Sequence, residues 1–504
     1  MSAFRRALLG AVAEGGDRPA VVDDLATVSY ALLDRWSTAL ATALPADGRG
    51  NTVVLLPNGA PWLAAHLAVL KAGLVGAPLN DALTDTEIAR VLDELRPRAV
   101  LCSPEREEDL LALAARLGPE RPAVHVVGPI PPAVGAGPMP FAPPSERAPG
   151  APCLLMHTSG TTGAPKAVVQ TERALHRTTA YWQALHRTRD DMVALPLPMA
   201  HAYGHLVTAA TLLAGATLVV TPEAFDAGRW TERMVRHGVT VVEAVPTVYG
   251  RLLTAGALPV GLRHCLSSGQ QAPAELRRAW QERTGVRLWE SWGMTELAGP
   301  GLGPLPDSCP GSAGAAVPGL EMRLVQADGT LAEPGAEGEL HVRGPQVTPG
   351  RRTGSGALES LCDEDGWLHT GDLARRDAHG CVTLTGRSKD VILTRGYTVH
   401  PGEIEEALRA HPSVAEAAVF GRPDPGRGEV PHALVIVRQD RRVSAEELLA
   451  HCRTRLARYK LPHTVDFTDR LPISPTGKLD RKALRAEVRP SATAGPVPAG
   501  LPGS

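Results

Sequence analysis

The segment CLLMHTSGTTGAPKAVV, residues 153–169, places hydroxyl side chains, glycines and one lysine between two apolar runs. The apolar flanks, residues 153–156 and 167–169, are typical of buried strands. Glycine lets the backbone approach an anion closely, and consecutive N–H groups can form an anion-binding nest. The stretch from Thr158 to Lys166 therefore predicts a loop between strands that holds a polyphosphate. The alternative is a polar surface loop.

This loop differs from the common P-loop. In the P-loop pattern GxxxxGK[ST] a glycine precedes the lysine and a hydroxyl residue follows it. Here Pro165 precedes Lys166 and Ala167 follows it.

Length and composition indicate a globular protein of more than one domain. The chain has 504 residues, of which 43% are hydrophobic and 21% charged, and these are globular values. The formal net charge of −2 provides no basic surface for nucleic acid or for anionic membranes. An anion of the size of ATP must therefore be held by local groups.

Cysteine usage and the N-terminus indicate a cytoplasmic protein. The seven cysteines are scattered and form no CxxC pair, which predicts reduced thiols and no zinc site. The start, MSAFRRALLGAVAEGG, predicts an amphipathic helix that buries Phe4, Leu8 and Val12, because a signal-peptide cleavage site is missing. The apolar run 206–220 is too short for a membrane span.

Strand-like and helix-like segments alternate over residues 18–128 and again from residue 153 to about 300. Residues 52–56 and 99–102 are strand-like, and residues 62–71 have helical spacing. This alternation favours an α/β architecture with mostly parallel strands. Residues 129–152 are rich in proline, alanine and glycine and predict a loop.

The sequence changes character after about residue 310. Short strands and turns over 311–388 predict a β-rich subdomain, with a hairpin around residues 377–380. The last ~115 residues predict a small α/β domain, because Pro401 can open a helix and Ser444 with Glu447 forms a capping box. Residues 488–504 contain few large apolar groups and predict a disordered tail.

Further motifs carry polar groups in turns. Glu296 in ESWGMTEL lies beside a predicted phosphate loop, where a carboxylate is favourable only with a cation between, and this predicts an Mg²⁺ ligand. Asp372 in GWLHTGDLA could accept hydrogen bonds from ribose hydroxyls, or be an ordinary turn residue. Lys478 in LPISPTGKLDRKAL could be a site residue or a solvated lysine.

Taken together, these motifs resemble the superfamily of acyl- and aryl-CoA synthetases, peptide-synthetase adenylation domains and luciferases. The motifs that follow TSGTTGAPK in the family's order are PMAHAYG (198–204), SSGQQAP (267–273), WGMTE, GELHVRGP (338–345), GWLHTGD, GRSKDVILTRGYTVHPGEIEE (386–406) and PTGK (475–478). The resemblance extends from about residue 15 to 486. It implies an enzyme that adenylates a carboxylic acid with ATP, releases pyrophosphate and passes the acyl group to a thiol.

The implied fold is α/β. A large AMP-binding domain over residues 1–388 contains two doubly wound α/β subdomains and a β-rich subdomain. A small, mobile α+β domain follows over 389–487, and the tail covers 488–504.

The resemblance also implies roles for individual residues. Thr295 contacts the α-phosphate, Glu296 binds Mg²⁺, and Trp292 lies against adenine where the family usually has tyrosine. Asp372 and Arg387 hold the ribose. The residues implied to bind ATP or AMP are Thr158, Ser159, Gly160, Thr161, Thr162, Gly163, Lys166, Ser268, Gly269, Gln270, Trp292, Gly293, Met294, Thr295, Asp372, Arg387 and Lys478.

In the family that these motifs resemble, the small domain turns about a hinge between two half-reactions. The residue at the hinge position is Lys389 here. Lys478 bridges the attacking carboxylate and the α-phosphate during adenylation, which makes physical sense because negative charge develops at phosphorus. The loop at Gly396 and Tyr397 then binds CoA. The resemblance makes His201 a gate or pocket wall. The implied catalytic residues are Lys478, Thr295, Glu296 and His201. The implied acyl-binding residues are His201, Ala202, Tyr203, Gly293 and Leu297.

The identity of the acid is less constrained. No carboxylate occurs over residues 198–204 to pair with an amino acid's ammonium group, and Ser291 replaces the arginine of malonate-activating relatives. An apolar monocarboxylic acid, which is fatty, aryl or polycyclic, remains. Gln270 and Gln271 could shape its pocket, and residues 346–360 lack the family's usual aromatic residues.

ATP, Mg²⁺ and CoA are the expected cofactors, and a homodimer is left open. One alternative is a freestanding enzyme that loads a separate carrier protein. The second alternative, from a different class, is a non-catalytic regulator that binds ATP or an acyl group.

Overall fold

The fold was analysed in a computed structural model. It describes residues 3–484 except 24, 46, 129–146, 159–165, 305–310, 354–356, 395–396, 425–427, 457, 474–478 and 482. The tail predicted over 488–504 and most of the loop predicted over 129–152 lie outside the described residues.

The helices begin where the sequence supplies caps. Ser29 and Thr84 each accept a backbone N–H at a helix N-terminus, and Thr84 forms a full capping box with Glu87. The α-helices, numbered along the chain, are α1 Ala3–Glu14, α2 Tyr30–Thr42, α3 Ala60–Lys71, α4 Asp85–Leu95, α5 Glu107–Ala115, α6 Glu172–His186, α7 Ala202–Ala214, α8 Ala227–Arg236, α9 Pro246–Ala255, α10 Ala274–Thr284, α11 Pro401–Arg409 and α12 Ala445–Arg453.

One sheet has eight strands in the order β19-β18-β8-β7-β4-β3-β5-β6. Its centre is parallel and buried on both faces, as the near-continuous apolar strand sequences predict. The strands are β3 Asn51–Leu55, β4 Val75–Leu79, β5 Ala99–Cys102, β6 Ala123–Val126, β7 Pro152–Thr158, β8 Lys166–Thr171, β18 Arg351–Arg352 and β19 Leu358–Glu359.

The second sheet has nine strands in the order β15-β14-β13-β12-β11-β9-β10-β1-β2. Its central strands, β13 to β1, are also parallel. The strands are β1 Pro19–Val22, β2 Thr27–Ser29, β9 Met192–Ala194, β10 Thr217–Val219, β11 Val241–Ala244, β12 His264–Ser268, β13 Leu288–Met294, β14 Gly299–Gly303 and β15 Ala315–Ala316. The two sheets confirm the prediction of two α/β subdomains.

The third sheet has four strands in the order β16-β17-β20-β21. They are β16 Glu321–Val325, β17 Glu337–Arg343, β20 Leu368–Arg376 and β21 Val382–Arg387. The turn at residues 377–381 joins β20 to β21, where Asp377 accepts the N–H groups of His379 and Cys381. The predicted β-rich subdomain and its hairpin are confirmed.

The N-terminal helix α1 is part of the core. Phe4, Leu8 and Val12 are at most 2% exposed, as the amphipathic pattern predicts. Arg5 is fully buried, donates to the carbonyls of Leu70 and Leu74, and pairs with Glu172 on α6. Because an unpaired buried charge is costly, this pairing keeps α1 in place.

The chain divides into two compact units, one over residues 1–385 and another over 386–474 with the described residues after 478. The second unit contains α11, α12 and a mixed sheet. Its strands are β22 Ile392–Thr394, β23 Tyr397–Val399, β24 Val414–Asp424, β25 Gly428–Val437 and β26 Thr464–Phe467. Pro401 opens α11 and Ser444 caps α12 with Glu447, as predicted. The boundaries at 388 and 487 stay predictions.

The thiols differ from expectation at one position. Cys381 is disulfide-bonded, so the prediction of reduced thiols throughout is wrong, because spacing along the chain cannot show which sulfurs meet. Five other cysteines are free, and burial raises the pKa of Cys153 to about 12. In the described part of the chain, no helix has the length and apolar character of a bilayer span.

Candidate active site

The predicted phosphate loop closes a hairpin. Strands β7 and β8 are antiparallel, and Thr158 is the register partner of Lys166. The two residues that flank the loop therefore lie side by side, at the end of two inner strands of the eight-stranded sheet. The predicted ligands Ser159, Gly160, Thr161, Thr162 and Gly163 lie outside the described residues, as do the side chains of Thr158 and Lys166.

Two buried side chains, which the sequence analysis did not single out, tie β8 to the turn that carries Thr295 and Glu296. Gln170 donates from Nε2 to the carbonyl of Thr295 at 2.9 Å. Thr348 donates from Oγ1 to the carbonyl of Val169 at 2.6 Å, and its backbone N–H donates to the carbonyl of Glu296 at 2.7 Å. The phosphate-loop strand and the predicted Mg²⁺ ligand are therefore held in one network.

The same network holds the beginning of the segment 346–360. This segment lacks the aromatic residues that are usual in the family. Thr348 and Gln346 are buried, and β18 pairs with β8 through Arg351 and Val168. Hydrogen bonds and strand pairing hold the beginning of this segment without aromatic packing. No local sequence pattern marked Thr348, because its partners are distant in the chain.

The turn at Thr295–Leu297 is strained at its end. Ala298 has a φ of 55°, in the left-handed region that non-glycine residues rarely adopt. The hydroxyl of Thr178 on α6 lies 3.1 Å from the carbonyl oxygen of Ala298 and 2.9 Å from that of Ala174, so it can share its proton with this turn. Glu296 is half-buried, and its negative charge acts on Arg351, which also pairs with Glu359. The strain is compensated locally, as is common where a site is pre-organised.

Two predicted nucleotide contacts, Trp292 and Asp372, contact each other. The indole Nε1 of Trp292 on β13 donates to Oδ2 of Asp372 on β20 at 2.9 Å. Both residues are buried, with 6% and 5% of their surface exposed. Gly301 lies against the ring, since an added Cβ would come within 2.4 Å of it. The tryptophan that replaces the family's tyrosine therefore fixes the carboxylate predicted to bind ribose.

The turn after β12 lies beside the same tryptophan. Ser268 is the register partner of Ser291 and donates from Oγ to its carbonyl at 3.1 Å. The buried Glu290 accepts the N–H of Ala272 at 2.8 Å and pairs with Arg277. Burial raises the pKa of Glu290, which Arg277 offsets in part. These contacts hold the predicted nucleotide residues Ser268, Gly269 and Gln270 next to β13.

Close packing explains the glycine of WGMTE. A Cβ on Gly293 would lie 2.4 Å from the carbonyl oxygen of Gly299 on β14. Met294 next to it is half-buried and pairs with Gly299. Leu297 is fully buried in the cluster that contains Trp292.

The predicted acyl-binding residues His201, Ala202 and Tyr203 lie at the start of α7. His201 is the N-cap, and its Nδ1 accepts the N–H of Tyr203 at 3.4 Å. Ala202 is buried, and the hydroxyl of Tyr203 lies 3.5 Å from the carbonyl of Leu266. A Cβ on Gly204 would lie 2.0 Å from the carbonyl oxygen of Pro198, so only glycine permits α7 to approach Pro198 this closely.

A buried ion pair lies next to Tyr203. Glu243 on β11 pairs with Arg187, and both side chains are fully buried. Glu243 also accepts from the indole of Trp182 at 2.9 Å and from Tyr203. Burial, followed by the charge of Glu243, raises the pKa of Tyr203 well above its ordinary value. No local sequence pattern marks this pair, because the two residues are 56 positions apart in the chain.

Apolar side chains surround Tyr203. Trp182, Leu206, Ala210 and Leu266 form a buried cluster against which Tyr203 packs. The described surroundings of Tyr203 are therefore mainly apolar, and the charges of Arg187 and Glu243 beside it neutralise each other.

The second unit carries the remaining predicted residues. Arg387 is exposed at the end of β21, and Lys389 is exposed in a turn where the N–H of Asp390 donates to the carbonyl of Arg387. Gly396, the side chain of Tyr397 and Lys478 lie outside the described residues. An antiparallel bridge joins Ile473 to Leu479, the residues on either side of 474–478.

Comparison with known proteins agrees with this arrangement. The sequence model of the AMP-binding enzyme family matches residues 9–350, and the model of the AMP-binding enzyme C-terminal domain matches residues 403–478. The chain therefore belongs to the AMP-binding enzyme family.

Individual relatives define the enzyme class. The chain is 36% identical to a sulfoacetate–CoA ligase of Cupriavidus necator, a match covering 87% of each chain. It is 35% identical to a feruloyl-CoA synthase of Amycolatopsis sp, over 92% of this chain and 93% of that one. The crystal structure of ATP-bound MatB from Rhodopseudomonas palustris superposes with a TM-score of 0.87 at 29% identity, over 96% of this chain and 99% of that one. The predicted class, an AMP-forming acyl-CoA synthetase that uses ATP and CoA, is confirmed.

Proposed function

We propose that this enzyme adenylates an apolar monocarboxylic acid, which is fatty, aryl or polycyclic, and transfers the acyl group to CoA. The observation that carries the proposal is the buried apolar cluster of Trp182, Leu206 and Leu266, against which Tyr203 packs at the start of α7. A pocket lined mainly by apolar and aromatic side chains selects an apolar ligand.

The charged groups near this cluster argue against a substrate acid that carries a second negative charge. Arg187 is the buried cation that acts on Tyr203, and Glu243 neutralises it. Ser291 precedes Trp292 and supplies no charge. The sulfoacetate–CoA ligase and the feruloyl-CoA synthase are named for an acid with a second anionic group and for an aryl acid, respectively. Because Arg187 is already neutralised and Ser291 carries no charge, we favour an aryl acid over a dianionic acid as the substrate.

The nucleotide contacts are proposed on the same basis. The hairpin from Thr158 to Lys166 would hold the β- and γ-phosphates, and Thr295 would contact the α-phosphate. Asp372, fixed by Trp292, would accept hydrogen bonds from the ribose, with Arg387 as its partner in this role. A carboxylate that already has one donor keeps further lone pairs for ribose hydroxyls.

Glu296 is proposed as the ligand of Mg²⁺. The residue is half-buried on a short, pre-organised turn, and a carboxylate oxygen suits this hard cation. When bound, the ion neutralises charge on the phosphates. In our proposal Glu296 would hold that ion and take no proton itself.

Lys478 is proposed to stabilise the negative charge that develops as the carboxylate attacks the α-phosphate. Gly396 and Tyr397 are proposed to admit the thiol in the second step, after the unit turns at Lys389. His201 is proposed as a wall between acid and thiol, because its Nδ1 already accepts the N–H of Tyr203. A carrier protein in place of CoA, a homodimer and a cytoplasmic location stay predictions.

Product analysis tests the proposal. Purified enzyme would be incubated with ATP, Mg²⁺, CoA and one acid at a time, and thioester and AMP would be quantified by mass spectrometry. We expect turnover with apolar aryl or aliphatic acids, and at least about 100-fold lower kcat/KM for sulfoacetate or malonate, since a buried unpaired charge costs several kcal/mol. Preferred turnover of a dianionic acid would overturn the assignment of the acid, and no turnover with any acid would favour the regulator.

A further inference from the structure

The four-stranded sheet has two chemically different faces. On β17, Leu340 and Val342 are fully buried, whereas Glu339 and His341 point to the other side by strand alternation. On β20, Asp372 is buried and His369 is exposed on the opposite side. The face opposite Asp372 therefore carries a cluster of Glu339, His341 and His369.

We propose that Glu339, His341 and His369 bind a transition-metal ion of the Zn²⁺ type. The three residues each offer one ligand atom, and these atoms lie within 4.8 Å of one another. Two ligands from alternate positions of one strand and a third from its neighbour converge on one face of a sheet. Two imidazoles and a carboxylate are a set that Zn²⁺ takes in proteins.

The ligand atoms are close enough for one ion, but binding requires the ring of His369 to turn. His341 and His369 are register partners, and their rings stack with centroids 3.8 Å apart and an interplanar angle of 14°. Nε2 of His341 lies 3.7 Å from Oε1 of Glu339. Tetrahedral ligands on Zn²⁺ are separated by about 3.4 Å, given bond lengths near 2.1 Å. Parallel rings direct their nitrogen lone pairs along separate planes, so the exposed His369 has to rotate toward the buried His341. Glu339, which is not buried, can close the remaining distance.

One ring nitrogen of His341 is buried without a partner. The residue is only 5% exposed, and its buried Nδ1 has no hydrogen-bond partner. A buried ring nitrogen without a partner is uncommon in native proteins.

The surroundings resemble the outer shell of a metal site. Asp363 lies 3.0 Å from Nε2 of His369, an arrangement that fixes the tautomer and orientation of a ligating imidazole. Glu339 accepts the N–H of Gly371 at 3.2 Å, next to Asp372 in the chain. Arg323 is a nearby cation, but it pairs with Asp363 at 3.6 Å and stacks on Trp367.

The ligand chemistry separates this site from the Mg²⁺ proposed at Glu296. Mg²⁺ demands oxygen ligands, whereas imidazole suits Zn²⁺, Co²⁺, Ni²⁺ and Cu²⁺. The site therefore should not compete with the magnesium that accompanies ATP, and its existence does not depend on which acid the enzyme activates.

Cobalt binding tests the site directly. Full-length enzyme without a tag would be titrated with Co²⁺ in 5 mM MgCl₂ while visible absorption is recorded, followed by displacement with Zn²⁺. We expect one equivalent of Co²⁺ with d–d bands between about 500 and 650 nm that disappear on adding one equivalent of Zn²⁺.

Variants assign the ligands. His369→Gln removes a largely exposed side chain and should fold normally, yet it should weaken Co²⁺ binding by at least about 100-fold, more than the 10–100-fold lost with an outer-shell partner. Asp363→Asn should weaken binding by about 10-fold. His379→Gln, an exposed histidine in the turn after β20, is the matched control and should bind like wild type. Absence of d–d bands in wild type, or equal binding by His369→Gln and His379→Gln, would overturn the proposal.

Discussion

Trp292 donates its indole N–H to the carboxylate of Asp372 at 2.9 Å, and this bond connects β13 of the nine-stranded sheet with β20 of the four-stranded sheet. The residue predicted to face adenine thereby orients the residue predicted to hold ribose. Tyrosine, which the family usually has at this position, lacks the indole N–H that makes this contact.

Removing this hydrogen bond should weaken ATP binding. Trp292→Phe keeps an aromatic ring but loses the donor, so we expect the KM for ATP to rise by about 10-fold, since a hydrogen bond to a charged group contributes ~1.5–3 kcal/mol. Steady-state kinetics with varied ATP measures the effect. Trp230→Phe is the control, because Trp230 is also buried but its indole N–H has no hydrogen-bond partner. An unchanged KM in Trp292→Phe would remove this role for the bond.

Thr348 should be important although it contacts no predicted substrate. Thr348→Val keeps the shape but removes the hydroxyl that joins Val169 to Gly350. We expect the free energy of unfolding to fall by about 1–3 kcal/mol and the KM for ATP to rise, because a buried carbonyl loses its donor. Denaturant unfolding and kinetics measure both effects. Thr254→Val, at an exposed position on α9, should change neither.

Lys478→Ala should separate the two half-reactions. We expect adenylation to fall by about 10²–10³-fold, the loss typical of one pre-organised charge-stabilising group. Thioester formation from acyl-AMP supplied in advance should be largely intact. Single-turnover assays of each step measure this difference, and equal loss in both steps would argue against a lysine that serves adenylation alone.

Gly396→Leu should have the opposite effect. A leucine side chain would obstruct a pantetheine arm passing the backbone, so thioester formation should be blocked while acid-dependent pyrophosphate exchange continues. Gly402→Leu is the control in the same unit, because an added Cβ there meets nothing within 4 Å. If exchange also stops in Gly396→Leu, the loop is needed for adenylation as well.

Acid should destabilise the large unit through buried histidines. Nε2 of His205 lies 3.1 Å from Nε2 of His66, and burial lowers the pKa of His205 to about 4. In the unfolded chain its pKa is about 6.5, so the unfolded state takes up the proton first as the pH falls. Stability is therefore fully present above about pH 6.5 and is lost between about 6.5 and 4.

Urea unfolding at pH 7.5 and 5.5 measures this loss, which should reach about 1.4 kcal/mol per pH unit for each such histidine. His205→Gln should flatten the pH dependence by about that amount, although it removes a ring that packs against Phe4. The exposed His379→Gln should leave the dependence unchanged, and an equal slope in His205→Gln would contradict the assignment.

Much of the fold is predictable because it depends on local patterns. The amphipathic face of α1, the capping box of Ser444 and the apolar runs beside the phosphate loop are each readable over a few residues. Strand pairing between distant segments is not, and this is why β18 beside β8 and the disulfide at Cys381 were not foreseen.

The candidate site likewise contains residues that a local motif predicts and residues that only distant contacts bring in. Motifs with glycine, hydroxyl and charged residues predict roles for Thr295, Glu296 and Asp372 from the sequence, and these roles stay predictions. Gln170, Thr348 and the pair of Arg187 with Glu243 act through partners more than 50 positions away in the chain. Such residues have no local signature, because ordinary side chains become important only through tertiary contacts.

The central claim is that this enzyme forms an acyl adenylate from an apolar acid, and acid-dependent exchange of labelled pyrophosphate into ATP without CoA tests it most directly. The account predicts exchange with aryl or aliphatic monocarboxylic acids that is abolished in Glu296→Ala and reduced about 10²–10³-fold in Lys478→Ala. Exchange that is independent of added acid, or absent across aryl, aliphatic and polycyclic acids, would contradict it.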